Sequence, residues 1–268
     1  MKLFPLRFSR AAGAPAAVLR RALAPGLLAW CMAAARADEF DTLRQKWADM
    51  LTGGSSYNAA DPVIAAAISS VTSAANTYWS SLNKSSARTF LWSDAASTTV
   101  SAELNTNYSR LRAMALAYAT AGSTLRGSAA LRDDIISGLD WMYANRYNEN
   151  VRIYDNWWHF EIGSPMALVD AVALMYAELS ANQISNYMRT VEKFTPSATT
   201  PAAGGSTGTF TGANRMWKIQ VVAIRGIIVK DDAKLRAARD AFSNLFLYVT
   251  SGDGFYVDGS FIQHGKHP

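Results

Sequence analysis

A pair of tryptophans among polar side chains is the first stretch whose residue types could do chemistry. The stretch reads "YDNWWHFEIGSP" and spans residues 154–165. Three of its aromatic residues fall within four positions, and neighbours on a helix point in different directions, so we expect some rings to be exposed. Exposed Trp157 and Trp158 suit a sugar platform, because flat apolar faces contact pyranose rings and the polar neighbours Asn156, His159 and Glu161 can bind hydroxyls. Composition alone slightly favours the alternative, in which both tryptophans are core residues near a helix start.

Asn214 is the second candidate, in the stretch "TGANRMWKIQ" (211–220), where a glycine-containing loop enters a predicted helix. Asparagine caps helix N-termini well, and the residue pattern by itself favours this structural role. In the functional alternative, the side-chain amide points at a substrate carboxylate or an oxyanion. The residues alone leave both roles open.

The third candidate stretch is "SGDGFYVDGSFIQHGKHP" (251–268), which carries four glycines, two aspartates and two histidines. The glycines permit tight turns and predict a structured loop. A lone loop histidine such as His264 is more often structural or solvated than catalytic. His264 and His267 lack a cysteine or a close carboxylate that would complete a zinc site, and the EF-hand and nucleophile-elbow spacings are absent. We predict no metal and no cofactor.

Helical periodicity runs through most of the chain and must position these residues. The segment "DEFDTLRQKWADMLTGG" has its apolar residues on one face and stops at Gly53 and Gly54, while Asp61 and Pro62 predict the start of a second helix. Further helices are predicted near 103–121, 128–145, 165–180, 182–193, 215–229 and 232–248. No strand-like alternation precedes the last stretch, so the fold class is all-α. The low-complexity loop 195–212 is too long for a plain connection, which indicates a mobile rim or a site loop.

Residues 1–37 have the three parts of a secretory signal peptide. A basic start is followed by a short apolar run and by the small-x-small sequence Ala35-Arg36-Ala37. The apolar run is too short for a spanning helix, and a buried N-terminal helix is the alternative. Arg20-Arg21 adds a twin-arginine route as a minor option. We therefore expect a protein that is secreted to the outside of the cell or to the periplasm, with no membrane span after signal removal.

The positive charge of the chain belongs to this segment. The chain has 26 lysines and arginines and 21 aspartates and glutamates, for a formal charge of +5. Six of the 26 basic residues and none of the acidic ones lie in 1–37, which leaves 20 against 21 and a net charge of −1. Without this excess of basic residues, the sequence no longer favours a nucleic-acid partner. The only cysteine, Cys31, also lies there, so the mature chain has no disulfide and no thiolate chemistry.

Taken together and in order, the stretches "NWWHFEIGSPMAL", "TGANR" and "SGDGFYVDGSFIQH" resemble polysaccharide lyase family 8, which holds hyaluronate, chondroitin AC and xanthan lyases. Weaker similarity covers residues 38–268. The resemblance implies an incomplete (α/α) toroid of helical hairpins followed by an antiparallel β region. That β region has no counterpart in this chain, so we expect 38–268 to be a helical domain that is incomplete at its C-terminal end.

The resemblance also implies a reaction, β-elimination at a uronic acid residue of an acidic polysaccharide. Asn214 matches the family asparagine that neutralises the uronate carboxylate, and His264 matches a histidine that acts in proton abstraction. A neutral imidazole near its ordinary pKa is a competent base at mild pH. The family tyrosine that protonates the leaving oxygen would fall nine positions after His264, beyond Pro268. We therefore expect the 268-residue chain to be a poor catalyst.

The remaining implied site residues are those that would hold the sugar. The aromatic patch of the family carries over to Trp157 and Trp158, with Phe210 as a third member and Asn156 before it. Arg215 is a candidate for a local basic groove. The resemblance does not fix the polysaccharide, and we rank glycosaminoglycans before xanthan because more of the family acts on them. We expect a monomer.

Two other kinds of protein remain open. One is a non-catalytic carbohydrate-binding helical domain, in which the tryptophan platform binds sugar without turnover. The other is a cell-envelope helical protein with an interaction role and with Trp157 and Trp158 in its core. The accessibility of the two tryptophans separates the interaction protein from both the lyase and the carbohydrate-binding domain.

Overall fold

The computed structural model describes residues 38–243 and 245–263, and eight α-helices make up most of that part of the chain. The helices are α1 (Glu39–Thr52), α2 (Pro62–Ser81), α3 (Ser101–Ala119), α4 (Ala129–Asn145), α5 (Ser164–Met175), α6 (Ala181–Phe194), α7 (Gly212–Val229) and α8 (Asp232–Phe242). Short 3₁₀ turns lie at Ser93–Ala95 and Tyr176–Glu178, and a π-helical turn at His159–Gly163 runs directly into α5. The all-α fold class is confirmed for the described residues.

The first two helices begin and end where local chemistry predicts. The Asp38 carboxylate accepts a hydrogen bond from the Asp41 backbone N–H at 2.9 Å, and the Asp41 side chain returns the contact in a capping box. Gly53 ends α1 with a φ of 81°, a left-handed conformation that glycine adopts at little cost. Asp61 caps α2 through the backbone N–H groups of its first turn, with Pro62 at the first helical position.

The C-terminal stretch differs from the sequence prediction. The helix predicted over 232–248 ends at Phe242, and two short antiparallel strands follow, β1 (Gly254–Phe255) and β2 (Phe261–Ile262). The Val249 backbone N–H donates to the Phe255 carbonyl at 2.8 Å. Hydrogen bonding to the strand pair therefore replaces the last turns of the predicted helix.

The core lies around α3 and α5, which pack against each other. Ten of the twelve residues of α5 are buried. The segment His159–Glu178 is long and apolar enough to cross a membrane by length and composition, yet 78% of its apolar window is buried inside the structure, as in a core helix. Helices that follow each other in the chain also pack together, α2 on α3, α5 on α6 and α7 on α8, in the manner of helical hairpins.

Candidate functional site

The two tryptophans follow a tight turn at Asp155 and Asn156. Asp155 adopts a φ of 56°, and its carboxylate accepts hydrogen bonds from the backbone N–H and the hydroxyl of Ser101 at 2.9 and 2.8 Å. The Asn156 side-chain oxygen accepts from the Trp158 backbone N–H at 3.0 Å. Asn156, predicted to contact sugar, is exposed but its side-chain oxygen already holds this turn.

Trp157 and Trp158 are half-buried, whereas Phe160 is fully buried. The neighbouring rings point in different directions, as their spacing predicts. Neither tryptophan is a fully buried core residue, so the alternative that places both in the core is not supported. The Trp158 ring meets the Trp217 ring edge-on with centroids 5.8 Å apart, and the Trp157 ring lies 5.2 Å from that of Phe210. Both rings therefore stay partly exposed, and we call Trp157 and Trp158 together the sugar platform, after the role that the sequence predicts for them.

Asn214 lies on the third residue of α7, so the prediction that it is the N-cap is wrong. The N-cap is Thr211. Asn214 is 8% exposed, and its side-chain oxygen accepts a hydrogen bond from the Trp158 indole Nε1–H at 3.2 Å. An indole N–H can only donate, so this contact fixes which end of the amide faces Trp158. The amide NH₂ group of Asn214 is thereby turned away from the indole as a donor.

Phe210 and Arg215 have structural partners. Phe210 is only 5% exposed, with the Lys218 ammonium 4.1 Å from its ring centroid and Trp157 beside it. Its ring therefore supports Trp157 and presents little surface of its own. The Arg215 Nε donates to the Ala241 carbonyl at 3.0 Å, which ties α7 to the end of α8. Direct sugar contact by either residue stays a prediction that these partners do not favour.

His264, the predicted base, lies outside the described residues. Its neighbour Gln263 is described, and the Gln263 side-chain oxygen accepts from the Ala213 backbone N–H at 2.7 Å. The Gln263 amide nitrogen donates to Asp253 at 3.0 Å. Gly212 has a φ of 51°, and a Cβ there would lie 2.1 Å from the Gln263 side-chain oxygen, so only glycine fits. Gln263, which directly precedes His264 in the sequence, is thus bound beside Asn214.

Two contacts in this region were not predicted from the sequence. Glu161 and Lys218 form a fully buried ion pair at 2.6 Å, and burial lowers the pKa of Lys218 while the bond to Glu161 opposes the shift. His159 Nδ1 lies 2.8 Å from the Ser101 hydroxyl, and burial lowers the pKa of this histidine. A glutamate inside the apolar run "HFEIG" was the one local signal, since buried carboxylates are rare unless paired. Between residues 38 and 263, the described side chains include no group of three or more His, Cys, Asp or Glu that could hold a metal ion.

Comparison with known proteins identifies related chains. The model of polysaccharide lyase family 8, N-terminal alpha-helical domain, matches residues 47–268. Xanthan lyase of Bacillus sp. (strain GL1) is 46% identical over 230 residues, covering 85% of this chain and 24% of that protein. Hyaluronate lyase of Thermasporomyces composti is 36% identical over 231 residues, covering 86% of this chain and 28% of that protein. The chain therefore spans about a quarter of the length of these relatives.

Solved structures agree with these matches. The structure of Paenibacillus xanthan lyase superposes with a TM-score of 0.79 at 53% identity, covering 86% of this chain and 21% of that one. The Streptomyces coelicolor A3 chondroitin AC lyase in complex with chondroitin sulphate gives a TM-score of 0.76 at 37% identity, covering 85% and 30%. The match to the helical part of these lyases confirms the fold expected from the sequence.

Proposed function

The chain belongs to polysaccharide lyase family 8, and from this premise we propose that it acts in the cleavage of a uronic-acid-containing polysaccharide by β-elimination. We also propose that it is exported, since residues 1–37 have the basic, apolar and small-x-small parts that are typical of a signal peptide. The observation that carries the catalytic proposal is the hydrogen bond from Trp158 to Asn214.

That bond suits a carboxylate-neutralising role for Asn214. The C5 proton of a uronate is too weakly acidic for a side-chain base while the adjacent carboxylate keeps its full negative charge. Because the Asn214 oxygen accepts from Trp158, its NH₂ group is the end left to donate to the substrate carboxylate. A donor fixed before the reaction stabilises the charge that develops on this group as the proton leaves.

The rest of the reaction follows from what the family implies. The base, proposed as His264, takes the C5 proton, the electron pair forms the C4–C5 double bond, and the C4–O bond breaks. The leaving glycosidic oxygen then takes a proton from a general acid, which the family resemblance assigns to a tyrosine after residue 268. Gln263, the residue before His264, supports this role because its side chain is hydrogen-bonded to the N-terminus of α7 beside Asn214.

The sugar platform supports binding of a pyranose chain next to Asn214. Of the comparisons above, those with the xanthan lyases have the higher identities, so we now propose a xanthan-type polysaccharide first and a hyaluronan- or chondroitin-type polymer second. This order reverses the ranking made from the sequence. A non-catalytic carbohydrate-binding role is the second candidate function, and the partial exposure of Trp157 and Trp158 favours it over an interaction protein with both tryptophans in the core.

The test uses a version of the chain continued through the family tyrosine and β region, because the 268-residue chain is expected to be a poor catalyst. It measures the ultraviolet absorbance of the unsaturated uronyl product with xanthan, hyaluronan and chondroitin in turn. We expect Asn214→Ala to lower the rate about 100-fold or more, as loss of a charge-stabilising donor does in other enzymes. Asn76→Ala, on the exposed face of α2, is the matched control and should leave the rate unchanged. Sugar binding without product from the continued chain would favour the binding-domain function, and an unaltered rate in its Asn214→Ala variant would contradict the role of Asn214.

A further inference from the structure

The buried pair Glu161 and Lys218 lies directly behind the sugar platform. Both side chains have 0% exposure, and the Lys218 Nζ donates to the Glu161 Oε2 at 2.6 Å. Glu161 belongs to the π-helical turn that follows Trp158, and Lys218 lies on α7 one helical turn after Asn214. Burying two charges is costly, and such a pair by itself is weak evidence for stability. The pair has further contacts that point to another role.

The pair binds the backbone of one loop, residues 195–211, which we call the platform loop. The Glu161 carboxylate accepts from the Ala202 N–H at 3.0 Å and from the Ser206 N–H at 3.1 Å. The Lys218 ammonium donates to the Thr200 carbonyl at 3.0 Å. These contacts satisfy polar groups that a loop rich in Gly, Ser and Thr cannot satisfy by packing.

Gly205 shows how closely the platform loop fits over Glu161. A Cβ built on Gly205 would lie 1.8 Å from the Glu161 Oε1, so no larger residue can take this position without moving the loop or the carboxylate. Gly205 does not have a positive φ. The glycine is therefore required here by proximity to Glu161 and not by its backbone conformation.

Phe210, near the end of the platform loop, links the pair to Trp157. The Lys218 ammonium lies 4.1 Å from the Phe210 ring centroid, within cation–π range, and Phe210 lies 5.2 Å from the Trp157 ring. The Phe210 N–H also donates to the Thr199 carbonyl at 2.9 Å, which closes the base of the loop. A path of contacts therefore runs from Glu161 through Lys218 and Phe210 to one ring of the platform.

We propose that Glu161 and Lys218 are positioning residues, which anchor the platform loop so that Phe210 holds Trp157 in place for the sugar. This inference rests on the proposed function, because it assigns the pair a role in binding the polysaccharide. It differs from a purely structural role in two respects. Loosening the loop should weaken sugar binding without unfolding the helices, and it should do so only through Trp157.

The central variant is Gly205→Ala, which displaces the loop from Glu161 without adding or removing a charge. Hydrogen exchange of the 268-residue chain should show protected amides at Ala202 and Ser206, and this protection should be lost in Gly205→Ala. Binding of oligosaccharides prepared from xanthan and from hyaluronan should weaken about 3- to 10-fold, the scale of one aromatic contact. In a Trp157→Ala background, Gly205→Ala should have no further effect on the dissociation constant.

Two more variants separate loop anchoring from general stability. Glu161→Gln removes the charge that holds Lys218 and should give the same loss of amide protection. Asp170→Asn is the matched control, since Asp170 is another buried carboxylate that pairs with Arg112 at 2.6 Å and also binds Trp47. We expect Asp170→Asn to lower stability while leaving the protection of Ala202 and Ser206 and the sugar affinity within about 2-fold.

The outcomes separate this proposal from the proposed function. If the wild-type chain binds no oligosaccharide, the proposed function is contradicted and the positioning role falls with it. If the wild-type chain binds sugar but Gly205→Ala binds equally well, or if its effect adds fully to that of Trp157→Ala, only the positioning role is overturned. Unprotected amides at Ala202 and Ser206 in the wild-type chain would also overturn it.

Discussion

At the scale of single residues, the arrangement of Trp158 and Asn214 explains why two tryptophans stand next to each other in this chain. Trp157 has an aromatic neighbour in Phe210, while Trp158 uses its indole N–H to bind the Asn214 side chain at 3.2 Å. Trp157 can then contact the sugar, and Trp158 also sets which end of the Asn214 amide faces away from the indole. A phenylalanine at position 158 would keep the apolar face but would lose the donor to Asn214.

We expect Trp158→Phe to lower the turnover rate about 3- to 10-fold, because one neutral hydrogen bond stops favouring the donor orientation of Asn214. The ring face remains, so sugar affinity should change less than the rate. Steady-state measurement of product absorbance gives both quantities. Trp79→Phe is the control, since it removes an indole hydrogen bond to Asp134 on a different face of the protein. A loss of affinity with an unchanged rate would show that Trp158 acts only as a platform ring.

At the scale of elements, the ends of α1 and α7 are joined by charge. The Lys230 ammonium, at the left-handed C-cap of α7, lies 2.6 Å from the Asp38 carboxylate and 3.2 Å from that of Asp41. The hydrogen bond from Lys230 is the main cause that lowers the pKa of Asp38. For Asp41, the hydrogen bonds from Arg44 and then Lys230 lower the pKa from 3.8 to about 2. The packing of α1 on α7 should therefore depend on pH.

The sign of this dependence follows from the lowered pKa values. Carboxylates with a lower pKa in the folded state contribute stability above their unfolded pKa and lose it as pH falls through the folded pKa, here between about 4 and about 2. We expect Lys230→Met to make the fall in the free energy of unfolding over this range less steep. Urea unfolding curves at several pH values measure it, with Lys84→Met, which breaks the ion pair with Asp134 on α4, as the control. Equal steepness in wild type and Lys230→Met would contradict the coupling.

The same elements show what the sequence could predict about the fold. The start of α2 could be predicted because Asp61 and Pro62 stabilise the first turn of the helix in which they lie. The end of α8 was not predicted correctly, because the backbone at Tyr248 and Val249 pairs with Phe255 of β1. Local signals determine helix starts well, and tertiary hydrogen bonds can override the propensity of the last turns.

The candidate site was predictable in its residue types but not in its contacts. Trp158 and Asn214 are 56 residues apart, and Glu161 and Lys218 are 57 residues apart. No periodicity reveals such pairs, since they depend on how the π-helical turn meets α7. The resemblance to the family indicated Trp158 and Asn214, whereas the ion pair of Glu161 with Lys218 emerged only from the folded structure.

At the scale of the whole molecule, the N-terminal cap of α1 is built only from residues that follow the proposed signal segment in the sequence. Both halves of the capping box, Asp38 and Asp41, lie after residue 37, and so does the ion pair with Lys230. A cut after Ala37 would leave these contacts in place. It would also place the new α-amino group at Asp38, whose backbone N already faces the Asp41 carboxylate at 3.3 Å. A positive amine next to that carboxylate is a favourable charge arrangement.

We therefore expect export with cleavage between Ala37 and Asp38, which changes the formal charge from +5 to −1 and removes Cys31. N-terminal sequencing and intact mass of material recovered outside the cytoplasm measure the cleavage site. An Ala37→Arg variant, which breaks the small-x-small pattern, should be retained or cut elsewhere, while Asp49→Asn on the exposed face of α1 should be processed normally. Because the capping box lies entirely after the cut, residues 38–268 expressed alone should unfold at the same urea concentration as the uncut 268-residue chain. Recovery of folded cytoplasmic chains that all retain Met1 would contradict the export proposal.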